Sequence, residues 1–228
     1  MTSIRTFGIT LALAALAHAG AAFAAEDIVR TNGAVATTAG TEYGRLVTTN
    51  GSIRIADRVR AGQASTTNGS ITAGDDVGSG RMETVNGSIR IGERVRVEDG
   101  IETVNGSILV GRDGEVGGGV HTVNGNIGLI ATAVGGDVSL ANGDLTVGVG
   151  SHVRGGVRVR KSSTSWMPIR IQTRRPRVII GPGAVVEGPM QFEREVLLYV
   201  HDSARIGDVT GAEPVRYSTP TAPPRAAD

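Results

Sequence analysis

The chain of 228 residues has no cysteine, a single tryptophan, and only 3% aromatic residues. Without cysteine there can be no disulfide and no lipid-modified N-terminal cysteine, so stability has to come from packing. Scarce aromatics argue against a large globular core, which normally uses more Phe, Tyr and Trp. A narrow interior lined by Ile, Val and Leu needs none. Catalytic signatures are missing too: there is no nucleophile elbow, no P-loop and no zinc-ligand spacing. The calcium-binding G-G-x-G-x-D nonapeptide does not recur. No cofactor, metal site or catalytic residue is expected, and the chain reads as non-enzymatic.

What is present is a repeat. Asn-Gly pairs stand at Asn32-Gly33, Asn50-Gly51, Asn68-Gly69, Asn86-Gly87, Asn105-Gly106, Asn124-Gly125 and Asn142-Gly143, at intervals of 18, 18, 18, 19, 19 and 18 residues. The flanking columns repeat with them, as TTNGSI, TVNGSI and TVNGNI. A fixed period with persistent columns is the mark of a solenoid, in which each repeat stacks on the next. Three residues after each Asn comes an aliphatic, from Val35 through Ile53, Ile71, Ile89, Ile108 and Ile127 to Leu145. That column is expected to form a continuous apolar stack, each buried member contributing roughly 1.5–3 kcal/mol. A second aliphatic column is expected half a period later, at Val59, Val77 and Val95, then less regularly at Val116, Val134 and Val153. Ser52, Ser70, Ser88 and Ser107 should face outward by strand alternation.

The Asn-Gly pairs read as structural corners, because Asn tolerates the left-handed region and Gly has no Cβ to forbid it. Stacked Asn side chains, one strand spacing apart, can form an amide ladder along the axis. Asn-Gly between β-formers is also a hairpin signal, so an antiparallel meander or barrel is the alternative. Hairpins do not need the same residue in the same column, which favours an all-β, single-stack parallel β-solenoid of about 18-residue coils. Its handedness stays open.

Residues 1–24 resemble a secretory signal peptide: Arg5, then an apolar run from Phe7 to about Ala17, then Ala22-Phe23-Ala24 as a cleavage pattern, with Ala25 as the mature start. The expected location is the periplasm or the cell surface, with no transmembrane segment after cleavage. Cleavage would remove one Arg and no acid, bringing the formal charge from +1 to neutral. The solenoid domain is expected over 25–212, with an inserted loop at 161–177 and a disordered Pro-rich tail at 213–228. Beyond the loop, Ile180, Val186, Phe192, Leu198 and Ala204 recur every six residues, one side of a three-sided coil. Without the loop and ends, about nine coils remain, roughly 45 Å of stack.

Charge is distributed unevenly. From Leu145 to Val186 there is no acid, but there are Arg154, Arg158, Arg160, Lys161, Arg170, Arg174, Arg175 and Arg177. With Trp166 they form a candidate patch for an anionic envelope polymer or polysaccharide, since Arg forks suit carboxylate and phosphate groups. Nucleic acid is not expected, because aromatic interleaving stops at Trp166. His121, His152 and His201 read as surface or corner residues. Asp75-Asp76, Glu98-Asp99 and Asp113 read as turn acids.

The TVNGSI columns over about residues 45–147 resemble the bacterial adhesin-type β-solenoid family of secreted or membrane-attached proteins. The segment Val178 to Gly211, with IIGPGAVVEG and ARIGDVTG, resembles bactofilin-type polymer-forming β-helices. The first resemblance implies a rigid repetitive surface used in adhesion. The second implies self-association through the coil ends, whose unpaired strand edges invite it. A carbohydrate-active β-helix enzyme is the remaining alternative. Neither resemblance supplies catalytic residues.

Overall fold

The structure is a computed structural model that describes residues 25–161 and 174–224. The expected signal peptide lies outside the described residues, as do positions 162–173 of the expected insertion, which include Trp166 and Arg170.

Among the described residues every strand pairing is parallel, which rules out the hairpin meander. Pairing partners lie one repeat apart, as in Ile71↔Ile89↔Ile108. One sheet of ten strands runs the length of the stack, from Val35–Ala36 through Ile53–Ile55, Ile89–Ile91 and Leu145–Val147 to Pro214–Tyr217. This is the first face, with one strand per coil. A sixteen-stranded sheet supplies the other two faces. In the early coils one nine-residue strand, such as Arg60–Asn68, serves both. The sheet forks at Gly78–Asn86. The start of that strand pairs with Arg96–Val97, which opens the second face, and its end pairs with Ile101–Asn105, which opens the third. From there each coil has three short strands separated by corners.

The interior is one continuous apolar cluster from Val35 to Ala204. The aliphatic column after the Asn corners is buried throughout. So are the six-residue steps Ile180, Val186, Phe192, Leu198 and Ala204. The expected second column turns out to be two. Val59, Val77 and Val95 each follow a residue with positive φ, at Arg58, Asp76 and Arg94, and Gly114, Thr132 and Ser151 follow Asp113, Ala131 and Gly150 in the same way. Val116, Val134 and Val153 instead continue in register from Val97, two residues beyond Val95. The irregular spacing came from reading two adjacent interior columns as one.

The corner chemistry also differs from expectation. No Asn of the Asn-Gly pairs has a positive φ. The left-handed column is the other one, where φ is +57° at Arg58, +58° at Asp76, +54° at Arg94, +55° at Asp113 and +46° at Ala131. Gly33 and Gly143, near the two ends of the repeat, do have positive φ, at +105° and +133°, but from Gly51 to Gly106 Gly is needed beside Asn for space. A Cβ on Gly69 would sit 1.9 Å from the carbonyl oxygen of Gly51, and one on Gly106 would sit 1.9 Å from that of Gly87. Those carbonyls are engaged: Thr66 Oγ1 donates to Gly51 O at 2.9 Å, Thr84 to Gly69 O at 2.8 Å and Thr103 to Gly87 O at 2.9 Å. The Thr hydroxyl is buried, and this bond keeps it from going unsatisfied.

The Asn ladder is present. Nδ2 of Asn50, Asn68, Asn86, Asn105, Asn124 and Asn142 each donates to Oδ1 of the Asn one coil earlier, at 2.8–3.0 Å. The outward Ser column forms a second ladder, with Ser88 N donating to Ser70 Oγ and Ser107 N to Ser88 Oγ, both at 3.2 Å.

Part of the expected disordered tail, 213–228, forms a strand, and positions 225–228 lie outside the described residues. Pro214–Tyr217 is the tenth first-face strand and pairs with Leu197–His201. Tyr217 is buried and its hydroxyl donates to Ile180 O at 3.2 Å. The prolines suggested disorder, but among the described residues this strand has a partner on one side only, so no strand on the other side asks Pro214 for an N–H.

Two pairs of substitutions test this packing. Ile89→Asp puts a carboxylate into the dry stack and should cost about 3–5 kcal/mol, whereas Ser88→Asp should stay within about 0.5 kcal/mol. Equal small losses in thermal melts would refute the interior assignment. Gly69→Ala should lose more than about 2 kcal/mol through backbone overlap, while Ala131→Gly should gain about 0.5–1 kcal/mol by relieving left-handed strain. Denaturant melts that place both variants on the same side of wild type would contradict the corner geometry.

Candidate functional site

The outward residues of the third face build a groove of about 750 Å³ running from Ser65 to Lys161. Strand alternation sends one residue of each triplet inward and the next outward, and parallel register lines the outward ones up. The central column is Ser65, Glu83, Glu102, His121, Ser139 and Arg158, each paired in register with the next. Beside it runs an exposed apolar strip, Val85, Val104 and Val123, at 41%, 40% and 44% exposure.

The groove is acidic towards its first coils and basic towards its last. Glu83 accepts from Ser65 Oγ at 2.9 Å and Gln63 Nε2 at 3.2 Å. Arg81 Nη1 lies 3.8 Å from both Glu83 and Glu102. His121 Nδ1 lies 2.8 Å from Ser139 Oγ. Burial pushes the His121 imidazole below its ordinary 6.5, and the charges of Glu102 and Asp137 work against that, while Arg160 and Arg158 add to it. At the far end, Arg160 and Lys161 are exposed. Arg158 Nε donates to Gln191 at 3.2 Å, and its Nη1 is 3.8 Å from Asp137.

The described members of the candidate cationic patch lie at separate places on the stack. Arg154 lies beside His152–Val153 on the second face, away from the groove. Arg160 and Lys161 lie at the groove's end, and Arg158, one strand residue before Val159, points its guanidinium to Gln191 and Asp137. Arg174 and Arg175 line a separate hollow of about 310 Å³ with Asn126, Asn142, Gly143, Asp144 and Pro176. Arg177 is not a loop residue. It opens the strand Arg177–Ile180, its N–H donates to Asp144 Oδ1 at 2.8 Å, and its guanidinium stacks 5.1 Å over Tyr199 and bonds Pro223 O. Nor is the patch free of acid in space. Neighbouring coils bring Asp137 to Arg158, Asp144 to Arg174, Glu187 to His152 and Glu193 to the Lys161 backbone N–H.

The remaining sequence candidates occupy structural positions. Asp75 Oδ1 accepts from Glu93 N at 2.8 Å, and Asp76 pairs with Arg94 at 2.8 Å. His201 bonds Ser203 and meets Tyr217 edge-on at 5.1 Å. Among the described residues no cluster of three or more His, Asp or Glu could hold a metal ion, and no helix is long and apolar enough to cross a membrane. The groove itself was missed in sequence. Its signal was the outward column one residue before each buried Thr, which changes identity from coil to coil and so does not look like a motif. Comparison with protein-family models, curated proteins and solved structures finds no match for this chain.

His121 makes one pH-dependent contribution. Because its folded pKa lies below the unfolded one, the unfolded state takes the proton first as pH falls. Stability should therefore be full above about pH 6.5 and decline on acidification below it, until the folded group also protonates. His121→Gln should flatten that part of a melting-temperature-against-pH curve. An unchanged slope would show that His121 is not its source.

Proposed function

We propose that this protein is an exported, non-enzymatic, adhesion-type solenoid whose third-face groove binds an extended anionic envelope polymer, such as an acidic polysaccharide. The observation that carries this reading is the groove itself, a rigid trough several coils long in which polar and apolar columns repeat once per coil. A polymer laid along the axis meets the same valine strip over successive coils, beside a central column that passes from acidic to basic. Its anionic groups are taken at the basic end by Arg160 and Lys161, while the carboxylates at the other end are already held by Arg81, Gln63 and Ser65. The valine strip offers apolar contact to the non-polar faces of the polymer.

Support for a non-enzymatic role comes from the same place. Ser139, the hydroxyl beside His121, is 6% exposed and poorly placed to attack a substrate. Export rests on the N-terminal sequence pattern, and adhesion on the resemblance of the repeats. End-to-end assembly is a second reading, favoured by one observation. Among the described residues, the outermost strands Glu26–Asn32 and Pro214–Tyr217 each have a single partner strand.

Co-sedimentation with isolated anionic envelope polymer tests the first reading. Binding should weaken steeply with salt, because exposed charges are screened within roughly 8 Å at physiological ionic strength. Replacing Arg160 and Lys161 by Ser should cut affinity at least about tenfold at low salt without changing the melting temperature, since both are exposed and contact no core. Equal binding by variant and wild type would remove the groove's basic end from the binding surface. Filaments in electron micrographs of the polymer-free protein would favour assembly instead.

A further inference from the structure

The seven Asn-Gly pairs are nearly identical in sequence but not in chemical exposure. An Asn-Gly peptide can deamidate by an intramolecular route. The glycine backbone nitrogen, once deprotonated, attacks Asn Cγ and forms an N–Cγ bond. The Cγ–Nδ2 bond breaks and ammonia leaves, closing a succinimide. Water then opens that ring at either carbonyl to give Asp or isoaspartate. The nucleophile is the Gly nitrogen, so a hydrogen bond from that N–H withholds the proton and fixes the nitrogen in place.

Six of the seven have such a bond. The N–H groups of Gly33, Gly51, Gly69, Gly87, Gly106 and Gly125 donate to the carbonyls of Asn50, Asn68, Asn86, Asn105, Asn124 and Asn142 at 2.8–3.0 Å. The Gly143 N–H has no hydrogen-bond partner among the described residues. The repeat is interrupted there. Leu145 pairs with Val178, so the chain beside Asn142 on that side is the exit of the insertion, Arg174 to Pro176, and not another Asn-Gly corner. The attacked carbonyl differs as well. In the ladder each Asn Oδ1 accepts from the neutral amide of the next Asn, but Asn142 Oδ1 accepts from Arg194 Nη1 at 2.8 Å. A guanidinium on that oxygen polarises the carbonyl and stabilises the negative charge that develops as nitrogen adds. Asn142 and Gly143 also line the hollow of about 310 Å³, which gives water access to the ring.

We propose that Asn142-Gly143 is a spontaneous deamidation site of the folded protein and that the coil-to-coil bonds protect the other six pairs. The product carboxylate faces Arg194, a charge-assisted pairing that favours the modified state. It can no longer donate to Asn124 Oδ1, so the ladder loses its last rung.

The test is to age the purified full chain at mildly alkaline pH, folded and in denaturant, and to follow the one-mass-unit gain and isoaspartate content of each Asn-Gly peptide. Unfolded, all seven should react at similar rates. Folded, Asn142 should react at least about tenfold faster than Asn68, Asn86 or Asn105, as expected for a barrier difference of one decade or more. The Asn142→Gln variant, which cannot close the five-membered ring readily, should lose the fast site and leave the others unchanged. Amide hydrogen exchange gives an independent reading: Gly143 should exchange fast, and the glycines from Gly51 to Gly125 slowly. Asn142 reacting no faster than Asn105 in the folded chain, or a protected Gly143 amide, would overturn the proposal.

Discussion

A parallel solenoid sets each residue about one strand spacing, roughly 4.8 Å, from the residue in the same column of the next coil. Whatever occupies a column must therefore bond or pack with a near copy of itself, and the rest of the structure follows from that constraint. Aliphatic side chains satisfy it by stacking inward. Asn satisfies it because one amide both donates and accepts, so identical residues can chain indefinitely. Thr and Ser satisfy it by reaching the backbone of the adjoining coil. Charged residues repel their own kind: Glu83 and Glu102, stacked in register, share Arg81 between them, and other charged columns alternate in sign. The left-handed column reads Arg58, Asp76, Arg94, Asp113, with Arg94 bonded to Asp76. On the second face Arg96 pairs with Glu115.

The same rule shapes the candidate binding surface. A column whose residues vary from coil to coil is one where stacking with a copy is not required, and the groove's central column is of that kind. Its polarity changes gradually along the axis, from Glu83 and Glu102 through His121 and Ser139 to Arg158. A compact fold would scatter such residues; a solenoid lines them up along a trough. The stretch that lacks acid in sequence is partly neutralised for the same reason, because its neighbours in space lie one coil away, where Asp137, Asp144, Glu187 and Glu193 stand.

The regular region ends where the insertion enters, and the structure there is unlike any other corner. Arg194 takes the open acceptor of the last Asn and also donates to Ala141 O. Arg177 packs on Tyr199 and anchors the chain end through Pro223. Beyond this junction the stack continues with Gly-Pro corners and no amide ladder, yet the buried columns run on without a break. The interior is thus more tolerant than the corners: it asks only for apolar volume, whereas a corner must satisfy backbone groups of the coils on either side.

The sequence by itself determined the solenoid, its period, the apolar column at Ile53 to Leu145, the Asn ladder and the resumption of the coil after the insertion. These are legible because a constant period makes spatial neighbours a constant distance apart in the chain. Other features were decided only by the tertiary structure. At Gly51, Gly69, Gly87 and Gly106 the corner glycine answers to a carbonyl one coil away and not to a positive φ, and the buried Thr answers to that same carbonyl. The second apolar column resolves into two only when strand register is known. The tail strand Pro214–Tyr217 has no repeat signature and is recognised by its partner alone. Most of all, the cationic residues around the insertion were legible as a cluster but not as a site. There the offset between stacked residues jumps from 18 or 19 to 33, as at Leu145↔Val178, and linear proximity stops predicting proximity in space.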